Sequence, residues 1–212
     1  MSLTPAVQAA IARHLYDREP VNGVKYVSSL IAFLGDARNA AGRDSGGRLE
    51  PGRRGESWLA ATAYLGLLDQ IGTSFTIVGT SPTTPAIYHA LRTFSAVQDE
   101  PTLDALYALR CALVHDYSLA NPAKGKKAAR LTHFFRLTAN ATTPLVQFPP
   151  TRWDGDYSTV SRQNETLVNL QKVGDLAEGV VARLRAEHQA GTLDICLDLQ
   201  EFERRYGICF PC

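Results

Sequence analysis

The sequence predicts a mainly α protein, a helical bundle carrying one small β-hairpin. Two observations predict it: apolar residues recur at helical spacing over most of the chain, and one short β-prone pair interrupts them near residue 140. At 212 residues the chain is long enough for one large domain, and the whole of 1–212 reads as a single unit with insertions. A hydrophobic share of 45% against 20% charged is ordinary for a packed core and argues against general disorder.

Thr4-Pro5 opens a first helix over 6–16, with threonine as N-cap and proline at the first helical position. A second helix is expected from Asn22 to about Ala37, on the spacing of Val24, Val27, Leu30, Ile31 and Leu34. Six residues at 42–55 are glycine or proline, so 38–55 reads as a loop, and a loop of that length reads first as disordered. Its arginines are nearly balanced by Asp36, Asp44, Glu50 and Glu56. Glu56 to Ile71, Ser81 to about Val97, and Glu100 to Tyr117 or Leu119 follow as helices, the last stopped by Asn121-Pro122.

Beyond that stop, Leu131–Thr138 and Pro144–Phe148 are β-prone runs joined by a turn, which places a hairpin at about 131–148. A long helix is expected from Asn164 to Ala190, with Leu167, Leu170, Val173, Leu176 and Val180 on one face. A short last helix is expected near Leu199–Tyr206.

Composition excludes several classes. The net charge is +1, so a nucleic-acid or membrane partner must be met by a local surface. No apolar run reaches the roughly 20 residues that a bilayer span needs, and no secretory pattern opens the chain. The expected location is the cytoplasm. Four cysteines, at 111, 196, 209 and 212, are too sparse for a disulfide framework. Cys209-x-x-Cys212 with Cys196 and His188 could be assembled into a zinc site, but a second close ligand pair is missing, so no metal and no cofactor are expected.

The chemistry concentrates in Leu103–Tyr117. On a helical wheel Leu103, Leu106, Leu109 and Leu113 form one core stripe, and Tyr117 falls on the same side if the helix continues. His115 leaves the stripe, with Cys111 one turn before it. Arg110 lies about 140° away on that wheel, within reach of the same cleft if the helix loosens near its end. Imidazole moves protons near neutral pH, and guanidinium binds phosphate and stabilises transition-state charge. RNA supplies its own 2′-hydroxyl nucleophile, so this pair suffices for phosphodiester cleavage without a metal.

The run Leu109-Arg110-Cys111-Ala112-Leu113-Val114-His115-Asp116-Tyr117 resembles the signature of the HEPN superfamily, an Arg, four residues, then His late in a bundle helix. A Tyr two positions after the His, as Tyr117 here, marks the toxin branch. The resemblance implies a metal-independent ribonuclease of a toxin–antitoxin, antiphage or stress-response setting. It further implies a homodimer with a composite cleft, RNA as substrate, and an antitoxin or regulatory protein as possible partner. Arg110 and His115 would be catalytic, with Cys111, Asp116 and Tyr117 in support. Active members usually carry Asn or another polar residue where this chain has Cys111, and a thiol is a poor hydrogen-bond substitute for an amide. That favours the alternative, a catalytically inactive HEPN module binding nucleotide, RNA or a protein partner.

The residues taken singly leave plainer roles open. Arg110 could cap or pair with a neighbouring helix, His115 could pack at an interface, and Tyr117 could be a core aromatic. The basic run Lys124-Gly125-Lys126-Lys127 with Arg130 could hold RNA phosphates or be an ordinary solvated loop.

Overall fold

The computed structural model describes residues 3–16, 24–53, 57–122 and 129–211, with backbone alone at 24–25 and 209–211. The architecture is mainly α. Seven α-helices occur among the described residues: α1 Pro5–Leu15, α2 Ser29–Ala41, α3 Trp58–Ser74, α4 Ala86–Phe94, α5 Glu100–Cys111, α6 Leu170–Gln189 and α7 Leu199–Tyr206. Short strands β1 Val24–Ser28, β2 Phe75–Ile77, β3 Ala120–Asn121, β4 His133–Thr138, β5 Val146–Gln147, β6 Glu165–Asn169, β7 Leu193–Ile195 and β8 Gly207–Pro211 lie between them. No described helix is long and apolar enough to cross a membrane.

The chain forms two compact units, each assembled from separated segments: 1–36, 67–96 and 177–212 in the first, 37–66 and 97–176 in the second. In the first unit β1 pairs antiparallel with β8, and β2 with β7. Its core includes Ile11, Leu15, Leu68, Phe75, Leu91 and Phe202, all fully buried. Full burial of each such side chain contributes about 1.5–3 kcal/mol. Thr4 caps α1 by accepting from Val7 N at 3.3 Å, as its type and position predict.

The second unit holds α5 and a four-stranded sheet in the order β3-β4-β6-β5. The expected hairpin at 131–148 is not there. β4 runs parallel to β6 and β5 antiparallel to it, so β6 separates the two strands. β6 takes the place beside β4 over five residue pairs, and Asn169 at its end holds the 140–143 turn. Fully buried, Asn169 donates through Nδ2 to the carbonyls of Asn140 and Thr143, at 2.8 and 2.9 Å. The turn is thereby bound to β6 rather than closing a two-stranded ladder.

Three helices begin later than expected: α2 and α6, and also α4, which spans Ala86–Phe94 rather than Ser81 to about Val97 because Pro85, its N-cap, holds extended backbone. Residues 24–28 and 165–169 are strands, because Val24, Tyr26, Val27, Thr166 and Val168 favour extended backbone and each run finds a partner strand. The expected disorder at 38–55 is also overturned for the part described. α2 continues to Ala41, and Arg43, 7% exposed, anchors the following loop. Its guanidinium donates to the carbonyls of Gly47 and Gln171, each at 2.8 Å, and pairs with Asp175. Asp44 closes the turn by accepting from Gly46 N and Arg48 N.

Candidate functional site

α5 starts at an N-cap, Asp99, whose side chain accepts from Thr102 N at 3.0 Å, with Pro101 in the first turn. The leucine stripe is as the wheel predicts: Leu103, Leu106, Leu109 and Leu113 are all buried. α5 lies against β3 and β4 of its own unit, which fixes its rotation.

At Ala112 the helix changes type. Ala112–Asp116 is a π-turn, in which the Ala112 carbonyl accepts from the backbone N–H of Tyr117 and, at 3.1 Å, from that of Ser118. A π-turn advances each residue by a smaller angle than an α-helix, so five residues return the chain close to its starting direction. The two side chains that an α-helix would hold about 140° apart therefore meet. Arg110 Nη1 lies 3.1 Å from His115 Nε2.

In that contact the guanidinium, which has donors and no acceptor, donates to Nε2. His115 is exposed, and Arg110 half-buried. The pair thus offers a proton acceptor and a fork of donors side by side at a surface, which suits a phosphodiester.

Tyr117 ends the π-turn in left-handed backbone, φ 47 and ψ 39, where glycine or asparagine is usual. The turn directs its ring outward. It is 80% exposed, so it is not the core aromatic that a continuing helix would make it. Asp116 is also exposed, and no hydrogen bond joins it to His115. Cys111 is a half-buried free thiol.

Of the basic run, Lys124, Lys126 and Lys127 lie outside the described residues. Arg130 is placed: its Nε stands 3.7 Å from Oδ1 of Asp104, a buried carboxylate on α5. His133, at the start of β4, donates from Nε2 to the Arg130 carbonyl at 3.0 Å and accepts from Thr166 Oγ1 at 2.9 Å. Burial pushes His133 down to about 4, with the Arg130 carbonyl partly opposing it. These contacts tie the far end of the basic run to α5. Asp104, a carboxylate buried on α5, joins this cluster although the sequence alone does not single it out. Of the residues considered for zinc, His188 is within 3.4 Å of Tyr16 Oη and of the Gln8 carbonyl, the Cys196 thiol is pushed up to about 11 by burial, and the Cys209 and Cys212 side chains lie outside the described residues.

Comparison with protein-family models, curated proteins and solved structures finds no match. The geometry of the Arg110–His115 segment and its signature residues therefore carry the functional reading by themselves.

Proposed function

We propose that this chain is a metal-independent endoribonuclease of the HEPN type. The observation that carries the reading is the Arg110–His115 contact at 3.1 Å across a π-turn, with the imidazole at an exposed edge. An RNA phosphate entering beside the pair takes up the Arg110 donors and releases Nε2. The lone pair then accepts the proton of the 2′-hydroxyl, whose oxygen attacks the adjacent phosphorus. Arg110 stabilises the charge gathering on the non-bridging oxygens. As the phosphorus–O5′ bond breaks, the leaving oxygen takes a proton from His115 of a second copy of the chain in its imidazolium form, so that one histidine gains the proton that the other gives up. The products are a 2′,3′-cyclic phosphate and a 5′-hydroxyl. The setting is defence or stress response, with the homodimer as the working form, an antitoxin or regulatory protein as partner, and the cytoplasm as location.

The test is cleavage of varied RNAs in EDTA by purified protein, with end-group analysis. Cleavage that disappears in His115→Ala, leaving cyclic phosphate ends in the wild type, is the expected result. Wild type and His115→Ala that are equally inert would sink the enzyme reading. One observation favours a second reading, an inactive HEPN module that binds nucleotide, RNA or a protein partner: a thiol, Cys111, follows Arg110 where a polar group would help hold a phosphate.

A further inference from the structure

A cavity of about 500 Å³ opens in the second unit, lined by Trp58, Leu137, Thr138, Ala139, Asn140 and Leu170. That volume is within the range of small-molecule sites. Its composition is specific. Trp58, at the first position of α3, is 47% exposed, so much of its large aromatic ring is left uncovered. Leu137, Ala139 and Leu170 supply apolar wall. No charged side chain is among the described lining residues.

The polar groups are oriented by their own neighbours. Asn140 Oδ1 accepts from Thr142 N at 3.1 Å and from Thr142 Oγ1 at 2.9 Å. This commits the carbonyl end of the amide and leaves Nδ2 as a donor. Thr138 Oγ1 accepts from Asn140 N at 3.1 Å, which leaves its hydroxyl proton to give. An uncharged wall, an aromatic platform and two donors suit a flat, neutral ring bearing acceptor atoms. They do not suit a phosphate or a carboxylate, which would enter without a countercharge.

We propose that this cavity is a subsite for a planar heteroaromatic ring, a nucleobase, stacked on Trp58 and held by Asn140 Nδ2. The choice of a nucleobase among such rings rests on the ribonuclease reading. The base could arrive as a free nucleoside or as an unpaired residue of an RNA strand. Stacking of bases on aromatic side chains tolerates any base, and the Asn140 donor adds preference for a ring acceptor.

The experiment titrates the full chain carrying His115→Ala, which keeps RNA intact, with each of the four ribonucleosides and with a short unstructured RNA. The fraction of tryptophan emission open to acrylamide reports Trp58, because the other tryptophan, Trp153, is only 2% exposed. Saturable protection by nucleosides supports the subsite with free nucleosides as a source. Protection by RNA alone supports it with the strand as the source. By calorimetry, Trp58→Ala weakens binding about tenfold or more. Asn140→Asp keeps both acceptor bonds from Thr142, removes the donor, and weakens binding of bases that present a carbonyl. Absence of protection by nucleosides and RNA alike overturns the proposal, as does binding that neither variant alters. If nucleosides protect Trp58 while wild type cuts no RNA, the subsite stands and the nuclease reading falls.

Discussion

Arg110 and His115 are hydrogen-bonded, Nη1 to Nε2 at 3.1 Å, although four residues lie between them in the chain. The π-turn permits this by bringing the two side chains to one side of the backbone. Arg110→Lys keeps the charge but replaces the fork with one compact ammonium that cannot span two phosphate oxygens. RNA cleavage should drop by about 100-fold or more in this variant, in line with removal of a transition-state donor. Retention of full activity would show that Arg110 serves only as an electrostatic neighbour.

Tyr117 carries backbone that a non-glycine residue adopts at a cost of about 1–2 kcal/mol. Because its ring is exposed, little packing is lost when it is removed. Tyr117→Gly should raise stability by about 1 kcal/mol, or roughly 2–4 °C in melting temperature. A fall in melting temperature would mean that the ring makes a stabilising contact. The same variant tests whether the hydroxyl is needed for RNA cleavage.

Three buried histidines set an acid limit. Burial lowers His14 and His133 to about 4, and lowers His89, which donates to the Phe75 carbonyl. The unfolded chain takes up protons near 6.5 while the folded chain resists them, so the folded state is favoured above about 6.5 and loses that advantage as pH falls toward about 4. His14 and His133 should each cost about 2 kcal/mol on passing from pH 7.5 to 5. Urea melts at the two values check this, and His133→Gln should remove its share of the slope.

Gly72, in the last turn of α3, sits against α4. A Cβ there would stand 1.8 Å from the carbonyl oxygen of Ala86, a backbone atom that cannot swing aside. Gly72→Ala should destabilise by about 3 kcal/mol, the upper part of the range for overpacking. Chemical denaturation measures it. A loss under 0.5 kcal/mol would mean that the two helices separate easily.

Arg43→Met removes a buried guanidinium and leaves the Gly47 and Gln171 carbonyls without their donor. A loss of about 2–4 kcal/mol is expected, with faster proteolysis confined to 42–53. Proteolysis unchanged from the wild type would show that the Asp44 turn holds the loop alone.

The leucine stripe and both capped helix starts were legible because they depend on residues close in sequence. α7 matched its expected span for the same reason. The strands at 24–28 and 165–169 were not, since Val and Leu repeats suit either period and their partners lie far along the chain. The 131–148 hairpin failed because β6, more than twenty residues further along the chain than β4, lies between its two strands. At the site, the residue types were readable, but their meeting was not. A wheel assumes one helical pitch, and the change of pitch at Ala112 is a property of the folded backbone.

The pairing of β4 with β6, parallel, and of β1 with β8, antiparallel, has a consequence for synthesis. While residues 165–211 are still unmade, β4 lacks its central neighbour and β1 has no partner at all. Such distant pairings form slowly and leave strand edges open meanwhile. The first unit cannot mature on the ribosome until translation is almost complete, and the second not before residues 165–176 are made. The Arg110 and His115 pair, made at mid-chain, thus waits for the last quarter of the polypeptide before its support is finished. The ribonuclease activity proposed above would then be withheld until most of the chain has been made.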